Sequence, residues 1–293
     1  MERKSRQTRS TCLTTHLIKT MTINNITILQ GHGKQNQQDQ IHRIDLKMGD
    51  IVSIVGPTGS GKSTLINDIA LFAHENTPSQ RTVLINGELP SEEYKYDPSK
   101  NPIAFITQHT NFLSDLPVFK FLEFHAKIRQ PGMTDSLIQE VLAFANQLTG
   151  EPINIEHSMT ELSGGQTRSL LIADAVIIGN SPIILLDEIE NAGIDRTKAL
   201  ELLRQYKKIF IFVTHDPRIA LMSDFRVVMK NGAVQQVLVT HADERVAVHE
   251  IKKLDDLLLE LRGIIRRGEQ VTTRYIHDRL LTHGYAAVAG GVA

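Results

Sequence analysis

The chain has 293 residues, long enough for one large or two modest domains with a buried core. Its 32 Lys and Arg residues nearly cancel 33 Asp and Glu, which argues against a surface built as a whole for nucleic acid. Cys12 is the sole cysteine, so no internal disulfide and no cysteine-based metal centre can form, and a reducing, cytoplasmic setting is expected. No apolar run approaches the ~20 residues that span a bilayer, so a membrane role would require a partner chain.

Residues 1–21 are basic and rich in Ser and Thr, with Glu2 their one acid, and they lack the apolar stretch of a secretory signal. A disordered tail is expected there. Residues 22–29 form a short β-type run, and the polar residues 31–40 read as a loop. Residues 41–46 have strand-like patterning, and Met48-Gly49-Asp50 turns into the apolar strand 51–55. That strand runs into Gly56-Pro57-Thr58-Gly59-Ser60-Gly61-Lys62-Ser63, which meets the phosphate-loop pattern G-x-x-x-x-G-K-[ST] at every fixed position. From Thr64 to Phe72 the chain reads as a helix, so the motif has its strand before it and its helix after it. The residue types suit the chemistry. Glycines let successive N–H groups turn inward toward phosphate oxygens, and the helix N-terminus adds positive potential. Lys62 would bridge the outer phosphates, and the Ser63 hydroxyl would ligate Mg²⁺.

Residues 82–85 are predicted to be a strand closed by a tight Asn86-Gly87 turn, and the polar residues 88–102 a surface loop. Another strand covers 103–107, with Gln108 at its end, and helical spacing governs 117–148. After Leu162-Ser163-Gly164-Gly165-Gln166 a helix is expected to about residue 178. The apolar run 183–186 ends in Asp187-Glu188, and the run 209–213 ends in Thr214-His215-Asp216. Strands alternating with helices indicate an α/β fold with a mainly parallel sheet and ligand groups at the strand ends. Toward the C-terminus, Ile251, Leu254, Leu257, Leu258, Leu261, Ile264 and Ile265 form a helical stripe, expected to pack on the domain's own core. The Gly/Ala-rich residues 284–293 are expected to be mobile.

Leu162-Ser163-Gly164-Gly165-Gln166, downstream of a phosphate loop and upstream of an acidic strand end, resembles the signature of the ATP-binding cassette ATPases. The resemblance covers about residues 22–236, leaving 237–293 as an extension. It implies a phosphate-loop nucleotide-binding core with an antiparallel β subdomain and an inserted helical subdomain at about 110–165. It also implies ATP and Mg²⁺ as ligands. On this resemblance Gly56, Pro57, Thr58, Gly59, Ser60, Gly61, Lys62, Ser63 and Thr64 cradle the phosphates of one ATP. Ser163, Gly164, Gly165 and Gln166 contact the γ-phosphate of an ATP held by the opposite subunit. Asp187 matches the carboxylate that holds Mg²⁺ through water, and Glu188 the general base. Gln108 matches the glutamine reaching metal and water, His215 the histidine contacting the γ-phosphate, and Asp195 the loop crossing the dimer interface.

The resemblance further implies a dimer of cassettes around two ATP molecules. It implies a membrane-spanning partner, with the chain peripheral on the cytoplasmic face; a soluble cassette that remodels or assembles a complex is the alternative. Phe112, Phe119, Phe121 and Phe124 fall where the family receives its partner, although most should serve the subdomain's own core. Three departures stand out. Residues 1–55 contain no Phe, Tyr or Trp to stack on adenine, so weak discrimination between ATP and GTP is expected. The segment after the signature is Thr167-Arg168, and the interface loop is Asn191-Ala192-Gly193-Ile194, both unlike the family's common forms.

Overall fold

The structure, a computed structural model, describes residues 22–75, 77–107, 109–110, 112, 114–130, 132, 134–188 and 196–285. The expectations placed on residues 1–21, Gln108, residues 191–195 including Asp195, and residues 286–293 lie outside that range.

Two sheets organise the molecule. Strands β1 (Asn25–Leu29), β2 (Arg43–Lys47) and β4 (Thr82–Ile85) form an antiparallel sheet in the order β2-β1-β4. The larger sheet has the order β5-β6-β7-β3-β8-β9. It is built from β5 (Ile103–Ile106), β6 (Ile183–Asp187), β7 (Ile209–Val213), β3 (Ile51–Val55), β8 (Phe225–Lys230) and β9 (Ala233–Val239). Its first five strands are parallel, and β9 returns antiparallel to β8.

Strands β3, β6 and β7 are almost continuously apolar because both faces of the sheet are covered. Their two-residue side-chain period divides the core in two. Ile51, Ile184, Leu186, Phe210 and Phe212 face a cluster that includes the helices α3 (Val118–Arg129), α4 (Thr134–Leu148) and α5 (Gly164–Val176). Val52, Ile54, Leu185, Ile209 and Ile211 face the antiparallel sheet and α1 (Lys62–Ala70). One central sheet thus carries a helical layer on one side and the β subdomain on the other.

Most predicted elements form within a residue or two of their expected bounds. Helix α1 starts at Lys62 rather than Thr64, which places Lys62 and Ser63 inside its first turn. The expected surface loop at 88–102 contains a short helix, α2 (Glu93–Tyr96). Phe121 and Phe112 pack edge to face at 5.0 Å within the helical layer, whereas Phe124 is half exposed beside the exposed Ile128. The helices α6 (Arg196–Leu203) and α7 (Pro217–Met222) follow β6 and β7. Beyond β9, which runs past residue 236, lie α8 (Ala242–Arg266) and α9 (Thr273–Thr282). Helix α8 docks on α7, where Arg218 pairs with Asp255 at 2.7 Å. Leu257 and Ile264 of its stripe are buried, but Leu254, Leu258 and Ile265 remain exposed, so α8 spends only part of its apolar face on the core. Among the described residues no helix is long and apolar enough to cross a membrane.

Candidate nucleotide site

Strand β3 lies between β7 and β8, and its chain leaves the sheet through residues 56–61. Gly59 and Gly61 take left-handed φ values of 74° and 97°, closing the loop into a curl that delivers the chain to α1. At Gly61 a side chain is also excluded by contact, because a Cβ there would stand 2.6 Å from the Gly232 Cα in the β8–β9 turn. The Gly232 N–H donates to the Ser60 carbonyl at 2.8 Å, so the turn braces the loop from outside. Lys62 is buried, and its ammonium donates to the carbonyls of Gly56 at 2.9 Å and Pro57 at 3.2 Å.

Helix α1 starts without a side-chain cap, leaving its first-turn N–H groups to other acceptors. Pro57, Thr58, Gly59, Ser63 and Thr64 are exposed around that helix start, while the Ser60 hydroxyl is buried without a hydrogen-bond partner among the described residues. Curled glycine backbone, an uncapped helix N-terminus, an ammonium and exposed hydroxyls at one point fit a polyphosphate with its metal ion.

The acidic strand end and the histidine reach the same edge of the sheet. Asp187 closes β6 in register with Val213 of β7, and the Glu188 N–H donates to the Val213 carbonyl at 3.0 Å. Glu188 has φ 49°, so the chain turns sharply as it leaves the strand. Two residues past β7, His215 is exposed. Its neighbour Asp216 is buried and caps α7 by accepting the Arg218 N–H at 2.7 Å. Because β7 separates β6 from β3, Asp187 and the phosphate loop stand two strand spacings apart, about 10 Å.

Residues 163–166 form a different kind of helix start. Ser163 caps α5 by accepting the Gln166 N–H, and the Gln166 side chain accepts the Ser163 N–H at 3.0 Å, a reciprocal capping box. Gln166 is further held by a bond from its amide to the Pro152 carbonyl at 3.1 Å. Ser163 and Gly164 stay exposed. Helix α5 packs against β5, the edge strand three positions from β3, about 14 Å across the sheet. The fold therefore groups the phosphate loop, Asp187, Glu188 and His215 at the C-terminal ends of neighbouring parallel strands.

Sequence patterns missed two further parts of the site. Lys34, in the loop after β1, donates from its ammonium to the Gly59 carbonyl at 3.1 Å. Beneath the loop lies Arg81, with no solvent exposure, which binds Asp39 through two nitrogens and Asp68 of α1 through a third. It also donates to the Gly232 carbonyl at 2.8 Å. Burial opposes the charge on Asp39, but its bonds and charge contact with Arg81, with the N–H groups of Val234 and Gly31, hold it below the usual carboxylate range. For Asp68 burial prevails over Ser79 and Arg81, and its carboxyl is pushed up. The Asn231-Gly232 dipeptide was a readable turn signal, but no local pattern links Arg81 or Lys34 to the phosphate loop.

The strand–loop–helix geometry and the acidic strand end define a phosphate-loop nucleoside triphosphatase. A family model described as ABC transporter matches residues 40–191. Over 253 residues, 86% of this chain and 96% of the relative, the chain is 47% identical to an uncharacterized ABC transporter ATP-binding protein of Methanocaldococcus jannaschii. The chain belongs to the ABC transporter family, as an ATP-binding protein that hydrolyses ATP.

It is 30% identical over 213 residues to a spermidine/putrescine import ATP-binding protein of Bacteroides fragilis, covering 70% of this chain and 44% of that one. To a sulfate/thiosulfate import ATP-binding protein of Synechocystis sp. it is 32% identical over 204 residues, 66% of this chain and 54% of that one. The chain thus spans about half the length of these import proteins. Among solved structures it is similar to a dimeric ATP-binding cassette in a post-hydrolysis state bound to ADP and Pi. That match has 25% identity and a TM-score of 0.54, and covers 74% of this chain and 99% of that one. The fold is also that of cbiO1 from Clostridium perfringens, with TM-score 0.57, 21% identity, and 83% and 98% coverage.

Proposed function

We propose that the chain is the nucleotide-binding subunit of a transporter, working as a head-to-tail pair of cassettes that moves a separate membrane-spanning chain. The observation that carries this reading is the exposed helix start at residues 163–166, held in place by its capping box. Ser163 and Gly164 are exposed at the start of α5, where a nucleotide brought by a second copy can meet the helix N-terminus. The import functions named for two relatives, and the dimeric form named for one similar structure, support the same reading.

In this scheme the N–H groups of residues 56–64 and the Lys62 ammonium bind the phosphates of ATP. The Ser63 hydroxyl and Asp187 would hold Mg²⁺, with Gln108 as the third candidate, and the ion would supply charge neutralisation between the phosphate oxygens. Glu188 takes the proton of the attacking water, and the left-handed turn at this residue separates its side chain's direction from that of Asp187. His215 contacts the γ-phosphate. Ser163, Gly164, Gly165 and Gln166 close on it from the second subunit, with Asp195 as a further contact across the pair. Their capping box fixes the helix start before the partner arrives, so closure orders fewer groups.

Glu188→Gln tests both halves of this reading. The amide keeps size and hydrogen bonding but cannot accept the proton, so hydrolysis should fall by about 10² or more. ATP should still bind, and sedimentation with ATP and Mg²⁺ should show a dimer that disperses in ADP. Adding Ser163→Arg should abolish that dimer by placing a bulky cation in the contact. Normal hydrolysis by Glu188→Gln would refute the assignment of the base.

A further inference from the structure

Lys34 belongs to no part of the phosphate-loop motif, yet its ammonium is hydrogen-bonded to the loop's own Gly59 carbonyl. The side chain is exposed, and this bond uses one of three ammonium donors. Its placement is fixed by the fold. The Lys34 N–H donates to the Asn231 carbonyl at 2.8 Å, and the adjacent Gly232 N–H donates to the Ser60 carbonyl at 2.8 Å. The loop after β1, the β8–β9 turn and the phosphate loop are therefore joined in series.

Contact is so close that a Cβ at Gly232 would lie 2.7 Å from the Lys34 nitrogen. Beneath them Arg81 holds the Gly232 carbonyl and, through Asp39, the N–H groups of Gly31 and Val234. Gln35 and Asn36 follow Lys34 with φ 56° and 57°, a conformation that non-glycine residues keep only where their surroundings enforce it.

We propose that Lys34 is a second lysine of the nucleotide site, contacting the polyphosphate directly and leaving the base unread. The proposal rests on the phosphate-loop reading above. A lysine hydrogen-bonded to the loop that holds a multiply charged polyphosphate is within a side-chain rotation of the oxygens bound there. An ammonium gains far more from phosphate charge than from a neutral purine. Lys62 enters from the helix end of the loop and Lys34 from a different part of the chain.

The test is calorimetric titration of the full chain with ATP, GTP and inorganic triphosphate, each with Mg²⁺, for wild type, Lys34→Ala, Lys34→Arg and Lys62→Ala. Lys34→Ala should weaken all three by a similar factor, about tenfold, and by less as added salt screens the contact. Lys34→Arg should restore most of the loss because it keeps the cation. Thermal unfolding should be unchanged in Lys34→Ala, as the side chain is exposed. Wild-type affinity in Lys34→Ala, with binding still sensitive to Lys62→Ala, would overturn the proposal and leave the phosphate-loop reading standing. Loss for ATP and GTP without loss for triphosphate would overturn it in favour of a base or ribose contact. Should wild type bind none of the three, the phosphate-loop reading falls together with the proposal.

Discussion

The Arg81 guanidinium holds both carboxylate oxygens of Asp39, at 2.9 and 2.8 Å, with neither side chain meaningfully exposed to water. A third nitrogen reaches Asp68 at 3.1 Å. Three charges are thereby buried together, and removing Asp39 takes away two of the three charge-assisted bonds of Arg81 and leaves it Asp68 alone. Asp39→Asn should therefore destabilise the fold by about 1.5–3 kcal/mol at neutral pH, the loss of charge-assisted bonds with the Arg81–Asp68 pair retained, read as a shift in the denaturant midpoint.

The pH dependence of that gap has a definite sign. Asp39 is held below its ordinary pKa near 3.8, so its contribution is complete above that value and disappears as pH falls through the lower folded value. Asp68 is shifted upward by burial, so its folded form takes up a proton first on acidification and part of its charge penalty is relieved. The stability difference between wild type and Asp39→Asn should shrink as pH falls below about 4 and Asp39 takes up its proton. A difference that grows on acidification would contradict the charge assignment of the triad.

Lys62→Ala removes the buried cation at the start of α1 and with it the bonds to the Gly56 and Pro57 carbonyls. ATP affinity should become unmeasurable by calorimetry, since the site loses the charge that the phosphates meet. Retained wild-type affinity would refute the phosphate-loop assignment.

Base selectivity should be low. With no Phe, Tyr or Trp in positions 1–55, affinity should come from phosphates and Mg²⁺, and ATP and GTP should bind within about tenfold, or roughly 1.4 kcal/mol, of each other. A thousandfold preference for ATP would reveal a group that reads adenine.

Docking to a membrane partner should use the exposed side of α3. Phe124 and Ile128 lie one turn apart there and are exposed by 50% and 72%. Phe124→Asp with Ile128→Asp should release the chain from native membranes while leaving ATP affinity unchanged. Copurification only with soluble proteins, in extracts containing intact membranes, would favour an assembly role instead.

The amino-acid sequence alone determined the elements whose cause is local. The apolar run 51–55, its glycine loop and the helix after it are set by side-chain pattern within 22 residues, and so are the apolar strands that end at Asp187 and before His215. The resemblance then assigned roles to these residues without requiring a view of their arrangement. Tertiary structure decided which strands are neighbours, and therefore that Asp187 and His215 reach the edge that carries the phosphate loop.

Only the fold could bring Arg81 to Asp39, 42 residues away, and to Gly232, 151 residues away, or set Lys34 on Gly59. Such contacts form because several chain segments close over one buried space, and no periodicity of a single segment records them. The stripe of α8 makes the same distinction: its period predicted a helix, but only packing against α7 decided that Leu257 is buried and Leu258 is not. Helical pattern is written along one segment, whereas burial depends on what another segment brings to meet it.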